Sequence, residues 1–146
     1  MAIRVAINGF GRIGRNIARA IFSNHSNVID LVAINDSAPI ATNLHLLKYD
    51  SVHGTLTDEI KEIDSNKFEI NKKQIKKFSS KVPEDLPWAE LNIDLVLECT
   101  GKFNDKKLSY QHIEAGAKRV LISAPAKDVD ITAVFGVNHM EIKSEH

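Results

Sequence analysis

Two hydrophobic periods alternate along this chain. Ile3 to Ile7 is a short, mostly apolar run rich in β-branched side chains, the pattern of a strand buried on both faces of a parallel sheet. The period then lengthens. Ile13, Ile17 and Ile21 recur four apart, which predicts a helix over 12–22 with those residues on one face. Polar residues from Asn24 to Asn27 end it, and Ile29 to Ile34 forms a second strand. A shorter helix is expected from Ala38-Pro39 to about Lys48, with proline near its first turn and Ile40, Leu44 and Leu47 turned inward. After the polar loop Tyr49–Gly54 the period drops to two. Short strands are expected at 60–63, 67–70 and 74–78, with turns at 64–66 and 71–73; together they read as a small antiparallel meander inserted before the next sheet strand. Pro83, Pro87 and the lone Trp88 mark an irregular segment in which Trp88 reads as a packing residue. A buried strand at 94–98, a helix at 105–115 closed by Gly116, and a strand at 119–122 follow. Ile131 to Val137 is the last apolar run, before a polar stretch from Asn138 to His146.

Strands that alternate with helices predict an α/β fold with a doubly wound, mostly parallel sheet, here carrying the meander. Such sheets bind ligands at the carboxyl ends of their strands, where the strand order reverses. Four polar or glycine-rich segments fall at such ends: the glycine loop after Asn8, Asn35-Asp36, Cys99-Thr100-Gly101 and Ser123-Ala124.

The glycine loop carries the most specific chemistry. Gly9, Gly11 and Gly14 have G-x-G-x-x-G spacing between a strand and a helix. Gly9 permits the tight turn, Gly11 lets a pyrophosphate approach the backbone, and Gly14 lets the helix lie close on the strand. The unpaired N–H groups and positive dipole end of that helix suit an anion. An acid about 20 residues on completes the pattern. Asp36 stands there, where its carboxylate can accept adenosine ribose hydroxyls. The alternative role for Asp36 is to cap the helix that follows.

Composition narrows the picture. The 146 residues suit one domain, residues 1–146, with a real core. Nineteen basic and nineteen acidic residues cancel, so the charge balance calls for neither nucleic acid nor an anionic membrane. The single cysteine, Cys99, permits no intrachain disulfide. No apolar run approaches the roughly 18 residues of a membrane helix, and the N-terminus lacks a secretory pattern. The expectation is a cytoplasmic protein. No paired spacing among the six histidines suggests a metal site. His53 reads as structural.

Six stretches in order resemble the phosphorylating glyceraldehyde-3-phosphate dehydrogenases. They are Asn8 to Arg15, Ala33 to Asp36, Lys48 to Gly54, Glu98 to Gly101, Ala115 to Pro125 and Gly136 to His139. The resemblance covers nearly the whole chain and implies the Rossmann NAD-binding half of such an enzyme, with NAD as cofactor. It implies that the backbone at Arg12 and Ile13 holds the pyrophosphate and Asp36 the adenosine ribose. Thr100, Gly101 and Phe103 would line the adenine side, Lys81 would contact the adenine region, and Ser123 would lie near the nicotinamide. Lys81 stands where the family usually has arginine, which puts a stacking role in doubt. Cys99 stands where the family often has serine and is not the family nucleophile, which belongs to a Ser-Cys-Thr-Thr-Asn motif absent here.

The resemblance further implies a homotetramer for the intact enzyme. It also implies a cofactor domain without the catalytic half, which binds NAD and catalyses nothing alone; the Asp36 carboxylate would repel a 2′-phosphate and favour NAD over NADP, while the small, polar Ser37 leaves dual use open. Erythrose-4-phosphate dehydrogenase shares several of the motifs. The residues by themselves also admit another Rossmann enzyme domain, such as a methyltransferase, or a non-enzymatic nucleotide sensor.

Overall fold

The computed structural model describes residues 2–146. β1 (Ile3–Asn8), β2 (Ile29–Asn35), β5 (Ile60–Asp64), β6 (Lys67–Ile70), β7 (Lys73–Phe78), β8 (Leu95–Glu98) and β9 (Arg119–Ile122) form one seven-stranded sheet, ordered β5-β6-β7-β2-β1-β8-β9. The five strands from β7 to β9 in that order run parallel. The pairings β5-β6 and β6-β7 are antiparallel. The expected meander is therefore present, but it is not a separate insertion. Its last strand is the third parallel strand, paired to β2 through Ala33, Ile34 and Asn35. Polar residues alternate along β7 because it lies towards the sheet's edge, and that alternation hides its parallel partner from the sequence pattern.

The central strands bury both faces. Val5, Ile7, Leu31, Ile34 and Leu97 pack with α1 (Arg12–Ala20) and α2 (Ile40–Lys48) on one side. Ala6, Val32, Ala33 and Val96 pack against Trp88, Leu91 and Ile93 on the other. Ile40, Leu44 and Leu47 of α2 face inward as expected, and Trp88 is fully buried.

Three segments show detail beyond the sequence pattern. The inner face of α1 is Gly14 and Ala18, continued by Ile21, while Ile13 is 51% exposed. The cause is close packing: a Cβ on Gly14 would stand 2.2 Å from the Gly9 carbonyl oxygen, so the small-residue edge turns to the strand and Ile13 rotates outward. Beyond Ala20 the helix widens into a π-helical turn, Ile21–His25. The helix at 105–115 divides into α3 (Lys106–Ser109) and α4 (Gln111–Glu114). Asp105 caps α3 through the Leu108 N–H at 2.7 Å. The Ser109 hydroxyl then bonds back to the Asp105 carbonyl, and a short Ile113 N–H to Tyr110 carbonyl bond tightens the junction. Finally, the apolar run 131–137 lies outside the sheet. Asn138 folds it into a turn by accepting from Val134 N–H and donating to the Thr132 carbonyl, which leaves Phe135 and Val137 exposed.

Tyr49–Asp50 and Gly54–Thr55 make a two-stranded hairpin, β3 and β4. Its loop is organised by Asp50, whose carboxylate accepts from the His53 and Val52 N–H groups. Those bonds lower its pKa to about 2. The structural role expected for His53 is consistent with this contact.

Candidate functional site

The chain builds β1, β2 and β7 to one side, then returns to place β8 and β9 on the other side of β1. The strand order thus reverses between β1 and β8. At their carboxyl ends lies an open groove of about 330 Å³, where such a sheet binds its ligand. Gly9, Gly11, Asp36, Lys81, Thr100 and Phe103 line it, together with Asn8, Asn35, Ser37, Ser80, Cys99 and Lys102. Of the other predicted residues, Gly14 is buried under the loop, and Arg12 and Ile13 open α1 at its side. Gly101 and Ser123 follow β8 and β9 and do not line the groove.

The glycines differ in what surrounds them. Gly9 has φ +92°, and a Cβ there would press on the Thr100 N and the Cys99 carbonyl carbon at 2.7 and 2.8 Å, so only glycine lets this turn touch β8. A Cβ on Gly11 would meet nothing within 4 Å, so its side of the loop is open. Helix α1 begins there with neither a side-chain cap nor an acid in its first turn, leaving its first N–H groups for an anion.

Asp36 follows β2 and ties the loop to the sheet. Its Oδ2 accepts from Phe10 N–H at 2.9 Å, and its Oδ1 from Ala38 N–H at 2.9 Å and Asn43 Nδ2 at 3.1 Å. It therefore holds the start of α2 as well as facing the groove. Three of the carboxylate's roughly four acceptor sites are filled by protein, and the remaining one belongs to Oδ2.

Beneath the groove lies a buried polar cluster that the sequence reading did not identify. Asn35 donates to the Asn8 side chain at 2.7 Å and exchanges bonds with the Ser80 backbone. Asn8 donates to Glu98 Oε2 at 2.6 Å. Glu98 Oε1 accepts from Thr100 N–H at 2.8 Å and from its hydroxyl. His112 of α4 lies 2.9 Å from Glu98 Oε2, both side chains fully buried. The Trp88 indole N–H can only donate, and it reaches His112 Nδ1 at 3.0 Å. His112 therefore carries its proton on Nε2 and gives that hydrogen bond to Glu98. Burial alone would push the Glu98 carboxyl up; the bonds from His112, Thr100 and Asn8 outweigh it and hold the group below its ordinary range. The available sequence signal was an asparagine closing both β1 and β2, a polar residue at the end of an otherwise buried strand.

Cys99 is the only cysteine. Burial pushes its thiol pKa up, against a hydrogen bond with Ser123, and a raised pKa disfavours the nucleophilic thiolate. Among the described residues no cluster of three or more His, Cys, Asp or Glu could hold a metal ion, and no helix is long and apolar enough to cross a membrane.

A glycine loop, an uncapped helix start and an acid on the second strand, all gathered at a topological switch point, define a dinucleotide-binding α/β domain of Rossmann type. A family model described as "Glyceraldehyde 3-phosphate dehydrogenase, NAD binding domain" matches residues 3–106, and the chain belongs to that family. It is 53% identical, over 99% of its length, to the chloroplastic glyceraldehyde-3-phosphate dehydrogenase A of Chlamydomonas reinhardtii. It is 50% identical over 94% of its length to the glyceraldehyde-3-phosphate dehydrogenase of Geobacillus stearothermophilus, and 47% identical over all of it to that of Xanthobacter flavus. The chain spans 39%, 40% and 43% of those relatives respectively.

Proposed function

We propose that the groove holds NAD and that these residues are the cofactor half of an NAD-dependent, phosphorylating glyceraldehyde-3-phosphate dehydrogenase. The observation that carries this is the free N-terminus of α1 behind the open side of Gly11, with Asp36 on the neighbouring strand end. The N–H groups at Arg12 and Ile13 take the pyrophosphate. The remaining acceptor of Asp36 takes a ribose hydroxyl. Thr100, Gly101, Phe103 and Lys81 flank the adenine, and Ser123 lies towards the nicotinamide. The cofactor, when bound, supplies a hydride acceptor. The half-buried thiol of Cys99, with its pKa pushed up, is a poor nucleophile, so the attacking thiolate, its base and the substrate-phosphate groups are assigned to parts of the enzyme outside residues 1–146. The intact enzyme is assigned the oxidation of glyceraldehyde 3-phosphate, which rests on the relatives' names, and a homo-oligomeric state, which rests on the family resemblance alone.

Calorimetric titration tests the half-site. With the adenosine-diphosphate contacts present and the nicotinamide contacts few, ADP-ribose and NAD should bind about equally. Asp36→Ala should weaken both. Equal affinity of wild type and variant would reduce Asp36 to a structural clamp, and much tighter binding of NAD than of ADP-ribose would require nicotinamide contacts beyond Ser123.

A further inference from the structure

On the sheet face opposite α1 and α2, Trp88, Leu91 and Ile93 pack with Ala6, Val32, Ala33 and Val96. On β7 and β6 the paired Ile75 and Phe68 belong to the other core, on the α2 side. Side chains alternate along a strand, so Gln74, Lys76 and Lys67 project from the face that Leu91 shares. Gln74 and Lys76 are exposed there and Lys67 half-buried. The step between the Leu91 segment and these strands is an open cleft of about 260 Å³, with Val32 and Leu91 as its apolar lining. Arg4, Asp30 and Lys73, near the starts of β1, β2 and β7, also line it. The cleft therefore sits towards the amino ends of the parallel strands, away from the cofactor groove at their carboxyl ends.

Its charge is one-sided. Arg4, Lys67, Lys73 and Lys76 line it against one carboxylate, Asp30, in a chain whose acids and bases balance. Asp30 is shared between two of them, accepting from Arg4 Nη1 at 3.1 Å and pairing with Lys73. The Arg4 Nε–H donates to the Leu91 carbonyl at 3.0 Å, which fixes the guanidinium at the cleft and leaves its Nη2 without a partner among the described residues. Glu69, on the same face, is engaged by Gln74 Nε2 at 3.2 Å. Lys67 reaches Asp64 only at 3.8 Å, and Lys76 forms no ion pair within 4.0 Å among the described residues. These two lysines stand directly opposite each other across β6 and β7. Like charges in that position destabilise a sheet, and an anion between them would reverse the sign of the interaction. From Arg4 on β1 to Lys67 on β6 is three strand spacings, roughly 14 Å at the backbone, more than one phosphate spans. We propose that this cleft is a second anion site, which takes a small molecule bearing two linked phosphate groups, one held between Lys67 and Lys76 and the other at Arg4 Nη2. It is independent of the cofactor assignment.

The test is calorimetry of the chain with pyrophosphate and with orthophosphate at about 0.15 M salt, with the cofactor groove filled by saturating ADP-ribose. Amide shifts of the isotopically labelled chain locate the anion. Pyrophosphate should bind with a Kd below about 1 mM, about tenfold tighter than orthophosphate, and should move amides at Arg4 and 73–76 rather than at 9–13. Lys67→Gln combined with Lys76→Gln should weaken pyrophosphate by about tenfold without lowering the melting temperature, because it removes the opposed charges. Lys67→Arg combined with Lys76→Arg should retain binding. Lys107→Gln combined with Lys143→Gln changes the net charge equally at exposed sites elsewhere and should leave binding within about twofold. Equal weakening by the two glutamine pairs would reduce the effect to overall charge and overturn the proposal. So would shifts confined to residues 9–13, equal affinity for the two anions, or no pyrophosphate binding at that salt. If ADP-ribose itself fails to bind, the cofactor assignment falls, and the shifts at 73–76 still decide this site.

Discussion

The same substitution should have opposite consequences at two glycines three residues apart. Gly11→Ala places a methyl in open space at extended backbone angles, φ −75° and ψ −159°. Its thermal midpoint should stay near wild type while NAD affinity falls, because the methyl occupies the phosphate approach. Gly14→Ala drives a methyl to 2.2 Å from the Gly9 carbonyl and should cost about 2 kcal/mol or more of stability, read as a lower melting temperature with or without ligand. Matching melting curves for the two variants would contradict this packing account. The Glu98 cluster predicts an acid response. Its carboxyl pKa is depressed in the folded protein below the ordinary 4.5, so its stabilisation is complete above that pH and is lost as pH falls through the lower, folded-state value. Glu98→Gln puts an amide N–H₂ among the donors Asn8, Thr100 and His112, should destabilise at neutral pH, and should flatten the acid limb of a melting-temperature profile. An unchanged acid limb would assign acid unfolding to other carboxylates. At this scale the glycines and Asp36 were legible because their roles are backbone geometry and local spacing. Glu98, His112 and Trp88 were not, because they meet only when β8, α4 and the segment before β8 fold together, and the separations involved leave no local pattern.

Periodicity identified the elements well where both faces are buried or one face is cleanly apolar. It found β1, β2, β8, β9 and the inner face of α2. It found α1 but not its closest contact, because a four-residue isoleucine spacing gives a helical face but not its direction, and Gly14 and Ala18 are too small to register as hydrophobic signal. It also treated 105–115 as one helix, since the break comes from the Ser109 hydroxyl and the Tyr110 backbone carbonyl rather than from proline or glycine. The placement of α4 rests on His112, which joins Trp88 on one side and Glu98 on the other. Trp88→Phe keeps most of the apolar volume but leaves the buried His112 Nδ1 without a donor, which should cost about 1–3 kcal/mol. Amide exchange should then quicken in α4 and β8 more than in β5–β6, which make no contact with this cluster. Uniform acceleration throughout the sheet would show that the histidine does not anchor α4 specifically.

The two edges of the sheet differ in a way that bears on the whole molecule. β5 ends one side with Lys61, Glu62 and Asp64 exposed, and charged edges resist pairing with another chain. β9 ends the other side with Leu121 half exposed, and the segment beyond it leaves Val134, Phe135, Val137 and Met140 exposed, Phe135 at 88%. The polar stretch after Asn138 does return towards β9, where the Arg119 guanidinium donates to the Ser144 and His146 carbonyls, yet it does not cover those side chains. An open strand edge and a group of exposed apolar residues both favour association. The 146-residue chain should therefore self-associate with rising concentration, seen as increasing mass by light scattering. Phe135→Ser combined with Val137→Ser should shift that association to higher concentration without lowering the melting temperature, because neither side chain belongs to the two cores. A wild type that stays monomeric throughout the series would show that the β9 edge is adequately protected by the returning segment. Association that persists unchanged in the double variant would instead locate the contact at the strand edge, and Leu121→Lys should then reduce it.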